Sequence, residues 1–256
     1  MKTYCFLGDS ITEGVGTDVG HRYFDYIAEY AKVQTLGFGV NGAQYADLFD
    51  QIEQMKQALP VDPDGIFVLA GTNDFYGSVP VGKFFDETTV EVPVLYNADG
   101  TVAQTERRKA RVLNTDQSTF CGRLNLFYQT LRQDFPQTKL VLVTPPHRSY
   151  AYFGGSNIQH DELVANAAGA FFDEYIEALR KAADLWSLQL VDLYRDSGLF
   201  PRDDGNAKAF FANVDTDRLH PNAEGHKRIA ETIRLALSDH TRDDVRTQSD
   251  KDSRLC

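Results

Sequence analysis

The chain has 256 residues, of which 42% are hydrophobic, and it carries a formal net charge of −11 at pH 7. This length allows one large domain or two small ones, with a sizeable core. The acidic balance argues against nucleic acid, anionic membrane surfaces and polyanionic substrates as partners. No stretch approaches the ~18 consecutive apolar residues that a membrane-spanning helix needs.

Short apolar runs alternate along the chain with longer stretches that suit helices. The predicted strands are residues 3–7, 33–38, 65–70, 139–144 and 188–193. The predicted helices are residues 22–31, 46–59, 121–135, 161–185 and 223–237. Repeated strand–helix units indicate a mostly parallel sheet with helices on both faces. We therefore predict a single three-layer α/β/α domain over residues 1–238, followed by a polar, flexible tail over residues 239–256.

Residues 78–119 interrupt this alternation between the third strand and the next helix. Apolar residues alternate with others up to Tyr96, residues 97–100 have turn chemistry, and residues 101–112 can return as a partner strand. We predict a β-hairpin insertion on the active-site side of the sheet. Loops of this length often act as lids or specificity elements. A contact between subunits of a homo-oligomer, or a simple extension of the sheet, fits the pattern equally well.

The insertion also holds the densest basic cluster of the chain, formed by Arg107, Arg108, Lys109 and Arg111. Such a cluster is usually a solvated face. A binding site for a substrate carboxylate or for a partner is the alternative.

The three cysteines, Cys5, Cys121 and Cys256, cannot all pair, and their spacing is not that of a metal site. We expect reduced thiols, with Cys5 in the core, and a cytoplasmic location. A cleavable signal peptide is not expected, because the first predicted strand and the serine after it occupy the first ten residues.

That serine is Ser10, in the segment Gly-Asp-Ser-Ile-Thr at the end of the first strand. Open α/β sheets hold ligands at the carboxyl ends of their strands, and a serine exposed there can act as a nucleophile beside a base. Near the other end of the chain, Asp217 and His220 are three residues apart, so the aspartate can orient the imidazole. The Pro-Asn that follows suits a helix start, which predicts a loop location for this pair. Taken separately, Ser10 fits a serine that caps a helix, and Asp217 with His220 more often represents a surface aspartate beside a histidine near a helix cap.

Two further segments follow predicted strands and can supply hydrogen-bond donors. Gly42, after the second strand, lets a backbone N–H approach a ligand closely. Asn73, after the third strand, offers a neutral side-chain amide that suits an oxyanion. Nucleophile, base, orienting carboxylate and oxyanion donors are the parts that acyl transfer requires.

Together these segments resemble those of the SGNH hydrolases, also called GDSL-type esterases and lipases, over residues 8 to about 230. The resemblance implies that Ser10 is the nucleophile, that His220 is the base and that Asp217 orients it. It implies an oxyanion hole made by the N–H groups of Ser10 and Gly42 and the amide of Asn73. It also implies a flavodoxin-like sheet of order 2-1-3-4-5, and neither a metal nor an organic cofactor. A minimal family member lacks the insertion, so the resemblance does not predict the shape of the acyl pocket.

The expected function is hydrolysis of small-molecule esters, short-chain or acetyl and including carbohydrate-linked ones, through an acyl-enzyme. A lipid-acyl hydrolase or thioesterase is the near alternative, although no long apolar lid helix is evident in the sequence. A non-catalytic carbohydrate- or acyl-binding module is the alternative from another class, and the intact set of catalytic residue types argues against it. An ordinary α/β-hydrolase is disfavoured, because its Gly-x-Ser-x-Gly elbow needs glycine where Thr12 stands.

Three more polar residues are candidate substrate contacts. Asp9 is expected chiefly to support the turn by hydrogen bonding. Tyr76 follows the third strand and could line an acyl or sugar pocket, although aromatic residues in such segments more often join the core. His147 follows the fourth strand at the active-site edge, where a plain loop histidine is the ordinary interpretation.

Overall fold

The computed structural model describes the backbone of residues 1–252 and the side chains of residues 1–237. The strands are β1 (Thr3–Gly8), β2 (Gln34–Gly37), β3 (Gly65–Leu69), β4 (Phe85–Tyr96), β5 (Val102–Leu113), β6 (Lys139–Val143), β7 (Ala151–Tyr152), β8 (Ile158–Gln159), β9 (Gln189–Val191), β10 (Phe211–Asn213) and β11 (Asp217–Pro221). The helices are α1 (Ser10–Glu13), α2 (Tyr23–Ala31), α3 (Leu48–Ala58), α4 (Thr72–Tyr76), α5 (Phe120–Asp134), α6 (Phe172–Leu185), α7 (Leu193–Asp196), α8 (Asp204–Phe210) and α9 (Ala223–Asp252). One turn of 3-10 helix, Tyr45–Asp47, precedes α3.

Five parallel strands form the central sheet in the order β2-β1-β3-β6-β9. Counted along the chain, these are the five predicted strands in the order 2-1-3-4-5, which confirms the predicted topology. The reversal lies between β1 and β3, so the segments after β1, β2 and β3 emerge at one edge of the sheet. Ligands of open α/β sheets bind at such a reversal point.

The central strands are buried on both faces, which explains why they are continuous apolar runs in the sequence. Successive residues of β3 belong to opposite layers: Ile66 packs into the core under α3 and α5, and Phe67 packs into the core under α2 and α9. Cys5 of β1 is fully buried in the first of these cores, and burial raises the pKa of its thiol to about 12.

Two smaller sheets complete the fold. An antiparallel sheet of order β10-β11-β7-β8 lies beside the carboxyl edge of the central sheet. The insertion forms a two-stranded antiparallel hairpin of β4 and β5, named the ribbon here, and this confirms the predicted β-hairpin.

Two sequence predictions differ from the structure at helix ends. The helix predicted over residues 161–185 begins only at Phe172, because the Asn166 side chain accepts hydrogen bonds from the N–H groups of Ala168 and Ala170 and so holds a turn before it. The helix predicted to end at Leu237 continues as α9 to Asp252, through most of the predicted tail. Residues 253–256, with Cys256, lie outside the described residues, and the domain bounds and the flexibility of the tail stay predictions. Within the described part of the chain, no helix is long and apolar enough to cross a membrane.

Candidate active site

Ser10 is the first residue of the short helix α1, which follows β1 after a single residue. Asp9 caps this helix, accepting a hydrogen bond from the Ile11 N–H at 3.1 Å. Gly8 is required before it, because a Cβ there would lie 2.2 Å from the carbonyl oxygen of Leu69. The close approach of β1 and β3 therefore excludes a side chain two residues before Ser10.

Asp217 and His220 lie on β11, a short strand of the antiparallel sheet, and not on the predicted loop. The difference arises because β11 pairs with β10 and β7. The proposed helix start is nevertheless present, since Asn222 caps the last helix through a 3.1 Å bond from the N–H of Gly225.

The structure brings Ser10, His220 and Asp217 together although 210 residues separate the first two. His220 Nε2 lies 2.9 Å from Ser10 Oγ, and His220 Nδ1 lies 2.9 Å from Asp217 Oδ2. The other carboxylate oxygen, Oδ1, accepts the N–H groups of Leu219 and His220. With its proton on Nδ1, the imidazole presents Nε2 as an acceptor to the serine hydroxyl. This chain of hydrogen bonds can pass a proton from Ser10 to His220.

Gly42 and Asn73 line the same cavity as Ser10. Gly42 has a φ of 81°, a left-handed conformation that favours glycine, and nothing lies within 4 Å of where its Cβ would be. Glycine is thus favoured at this position by its backbone conformation. The sequence analysis expected glycine there for a different reason, the close approach of the backbone N–H to a ligand. The Asn73 amide donates one hydrogen bond to the carbonyl of Ala43 at 3.0 Å, which leaves its second N–H for another acceptor.

A partly buried polar network that the sequence analysis missed holds these two loops together. Arg123 donates to Gln44 at 2.7 Å and to Asp74 at 2.8 Å. The Gln44 amide in turn donates to the Asn73 carbonyl at 3.1 Å. Burial raises the pKa of Asp74 to about 6, against the opposing effect of backbone and Arg123 hydrogen bonds. Arg123 is 79 residues from Gln44 in sequence, so only the fold identifies this support.

The site cavity has a volume of about 470 Å³. Its residues are Ser10, Val15, Asn41, Gly42, Gln44, Asn73, Tyr76, Gly77, Phe153, Asn157, Gln159, Leu219 and His220. Three of them come from the β7–β8 hairpin, which the sequence analysis also missed. The Phe153 ring lies 5.3 Å from the His220 ring, centroid to centroid. The run Gly154-Gly155-Ser156-Asn157 is turn chemistry that could have indicated this hairpin.

The three weaker candidates have different surroundings. Tyr76 lines the site cavity, and its hydroxyl donates to Asn157 at 3.2 Å. Asp9 is fully buried and supports the turn, so it does not reach the cavity. His147 is bonded to Glu162 at 2.7 Å, packs against Tyr194 and is likewise outside the cavity lining. The ribbon contributes no residue to that lining either, so the cavity gives no support to a lid role.

Asp9 is also electrostatically unusual. Among the described residues, its Oδ2 is one of four buried side-chain polar atoms without a hydrogen-bond partner. Burial raises the pKa of this carboxyl from 3.8 to about 7, and the nearby His220 opposes that shift. Asp9 and His220 therefore interact electrostatically.

Comparisons with known proteins identify the family and the fold of the chain. Residues 6–228 match the GDSL-like Lipase/Acylhydrolase family. A protein of known structure from Lactobacillus plantarum is 26% identical, with a TM-score of 0.69 over 93% of this chain and 97% of that one. A possible lipase from Chitinophaga pinensis is 21% identical, with a TM-score of 0.67 over 95% and 98% of the two chains. An acetyl xylan esterase, AlAXEase, is 19% identical, with a TM-score of 0.54 over 92% and 99%. No curated protein matches the sequence.

Proposed function

The chain belongs to the GDSL-like lipase/acylhydrolase family, and we propose that it is a serine ester hydrolase acting on short-chain or acetyl esters, including those linked to carbohydrate. The observation that carries this proposal is the continuous pair of hydrogen bonds, each 2.9 Å, from Ser10 through His220 to Asp217. A nucleophile, a base and an orienting group in contact are the signature of nucleophilic acyl transfer.

In the first half of the reaction, Ser10 Oγ forms a bond to the ester carbonyl carbon while His220 Nε2 takes the hydroxyl proton. Asp217 stabilises the resulting imidazolium through its bond to Nδ1. The carbonyl π electrons move to the oxygen, which becomes an oxyanion. When that intermediate collapses, the bond to the alcohol breaks, and the alcohol oxygen leaves with the proton held by His220.

The oxyanion needs donors that are in place before the reaction. The N–H groups of Ser10 and Gly42 and the second N–H of Asn73 serve this purpose, and one such donor typically contributes ~3 kcal/mol. The support of Gln44 and Arg123 behind Asn73 keeps the donors from reorganising. In the second half, water attacks the acyl-enzyme while His220 takes its proton. The bond between Ser10 Oγ and the acyl carbon then breaks as His220 returns the proton to Ser10 Oγ, and the acid is released.

The polar lining of the cavity supports a polar substrate. Gln159 uses its side-chain oxygen to accept from Arg148 at 2.7 Å, and Asn157 uses its oxygen to accept from Tyr76. Their amide nitrogens are then the groups left to bind hydroxyl or carbonyl oxygens of a substrate. Phe153 supplies an apolar surface beside the reacting centre, on which a sugar ring or a short acyl chain can pack. The shared fold with an acetyl xylan esterase makes acetylated sugars the natural esters to test.

Hydrolysis of p-nitrophenyl esters from acetyl to palmitoyl tests the proposal, with Ser10→Ala as the control and acetylated xylo-oligosaccharide as the second substrate. The wild type is expected to hydrolyse the short esters, and the variant to be slower by at least ~10³-fold. A well-folded wild type that matches the variant on every ester and on the acetylated sugar would contradict the proposal and favour a binding module.

A further inference from the structure

The ribbon is a large structure with little to support it within one chain. Each strand has 12 residues, so at ~3.3 Å per residue the ribbon is about 40 Å long. Most of its side chains are exposed. An isolated two-stranded hairpin is marginally stable in water, and independent stability requires an apolar face that packs against something.

One face of the ribbon is charged and internally paired. Directly opposed residues share a face in an antiparallel pair, and Glu91 lies opposite Arg107 with a separation of 3.7 Å between their charged groups. On the same face, Lys109 lies 3.6 Å from Glu87, and the Arg111 guanidinium lies over the Phe85 ring at 5.5 Å. Three members of the basic cluster are therefore ion-paired within the ribbon, Arg107 and Lys109 on this face and Arg108 with Glu106, whereas Arg111 packs against an aromatic ring.

The other face, called the apolar face, carries the exposed apolar side chains of the ribbon together with Asp86, Thr88, Gln104, Glu106 and Arg108. Val90 and Val92 occupy it on β4, and Ala110 and Val112 occupy it on β5, by the same register. The register shifts twice near the tip, between Pro93 and Leu95 and again between Leu95 and Tyr96, and the pairs Leu95–Gln104 and Tyr96–Val102 continue the face there. All five of the large apolar ribbon side chains that are exposed belong to this face: Val90, Leu95, Tyr96, Val102 and Val112. Natural proteins rarely leave such a stripe uncovered.

We propose that this apolar face is the subunit interface of a homodimer, in which the ribbons of two copies pack face to face about a twofold axis. Two charged residues on this face are complementary to the same residues of a second copy. Glu106 and Arg108 lie side by side on β5, 3.1 Å apart. Because each copy offers both signs of charge, a twofold arrangement can pair Arg108 of one copy with Glu106 of the other.

Pairing along the strand edges is the competing way to join two ribbons, and both edges oppose it. Two antiparallel β5 strands would bring their basic residues 107–109 and 111 next to one another, and like charges in such positions repel. On β4, Pro93 has no N–H to donate, and edge proline is a common device against edge association. Packing through the face avoids both problems.

The face can supply at least about half of the area that each partner of a stable dimer buries. A ribbon of two strands about 40 Å long and roughly 10 Å wide has a projected area of roughly 400 Å². Its accessible area is larger, because side chains stand upright from the sheet. Stable interfaces bury about 800 Å² per partner. A membrane surface is a poorer match, because the chain has a net charge of −11 and the turn at the tip carries Asp99.

Sedimentation velocity of the full chain at micromolar concentration tests the proposal through two matched double variants. Val90→Glu with Val102→Glu places two glutamates on the apolar face, at side chains that are 39% and 48% exposed in the single chain. Thr89→Glu with Thr105→Glu places the same two charges, one per strand, on the charged face. Circular dichroism checks the fold of each variant, and exposed positions should tolerate these changes.

We expect the wild type and the charged-face variant to sediment at twice 28.7 kDa, or at an even multiple of that mass, and the apolar-face variant at 28.7 kDa. The dimer dissociation constant of the apolar-face variant should rise at least a hundredfold. A monomeric wild type, an apolar-face variant that keeps the wild-type mass, or equal dissociation of both variants would each overturn the proposal. A wild-type monomer that floats with phosphatidylcholine vesicles would assign the face to lipid and would also overturn it.

Discussion

Replacing Asp217 by asparagine tests how the site orients its histidine. The Oδ1 atom of Asp217 accepts two backbone N–H groups, those of Leu219 at 3.1 Å and His220 at 3.0 Å. An asparagine must keep its oxygen at that position, because an amide NH₂ there would face two donors. Its NH₂ group then points at His220 Nδ1, which has to become an acceptor. The imidazole proton moves to Nε2, and the ring donates to Ser10 where it should accept.

The size of the expected effect follows from this change of tautomer. In serine hydrolases with the same arrangement, the Asp→Asn substitution leaves the geometry intact and lowers kcat by about 10⁴. At about 1.4 kcal/mol per factor of ten, this is a loss of about 5 kcal/mol of transition-state stabilisation. The fold should be retained, because asparagine has the shape of aspartate and keeps both backbone hydrogen bonds.

The assay is kcat on p-nitrophenyl acetate, with Asp215→Asn as the matched control. Asp215 is two residues away and exposed, so its substitution should leave kcat unchanged. Proton NMR of the Nδ1–H of His220 provides a second readout, since this signal should disappear only in Asp217→Asn. A kcat within tenfold of the wild type in Asp217→Asn, with the fold intact, would refute the role given to this carboxylate.

Three other variants test separate parts of the site. Asn73→Ala should lower kcat by about 10²- to 10³-fold through the lost oxyanion donor, and a change below threefold in kcat would contradict that role. Gly42→Ala keeps the backbone N–H, and the added Cβ meets no neighbour. Because alanine disfavours the φ of 81° at this position, the free energy of unfolding should fall by ~1–2 kcal/mol, as measured by urea denaturation. The kcat should fall less than in Asn73→Ala. Asp9→Asn should remove a pH dependence of stability. Because burial raises the folded pKa of Asp9 to about 7, the stability that its proton contributes is full below pH 3.8 and is lost as the pH rises through about 7. The wild type should therefore lose stability relative to Asp9→Asn between pH 4 and 8, by up to about 4 kcal/mol, and parallel Tm profiles of the two proteins would contradict this.

The central sheet could be predicted because its signal is local. Strands such as β3 are buried on both faces and stand out as short apolar runs between helical stretches. The ribbon could be predicted from alternation and a turn for the same reason. The start of α6 could not, because the loop before it depends on side-chain hydrogen bonds of Asn166 that compete with helix formation.

The site also combines residues that local motifs predict with residues that only the fold brings together. Ser10 and His220 were predicted from motifs of a few residues, and the fold brings them to 2.9 Å. The support from Arg123 and the contact of Phe153 with His220 were missed, because each depends on residues far apart in sequence. Conversely, His147 has the right residue type and lies at the expected strand end. Its side chain is hydrogen-bonded to Glu162, however, and so belongs to a group of residues beside the cavity. Residue type and strand position select candidates, and packing decides which of them face the cavity.

Covalent labelling with a fluorophosphonate tests the central claim most directly, because the reagent phosphonylates a serine only when a neighbouring base activates it. Peptide mass spectrometry of the labelled protein should locate one adduct, on Ser10, with esterase activity lost in proportion to labelling. His220→Ala should label far more slowly with the fold intact. Active, folded protein that gains no adduct on Ser10, or that is inactivated through a different residue, would contradict the account.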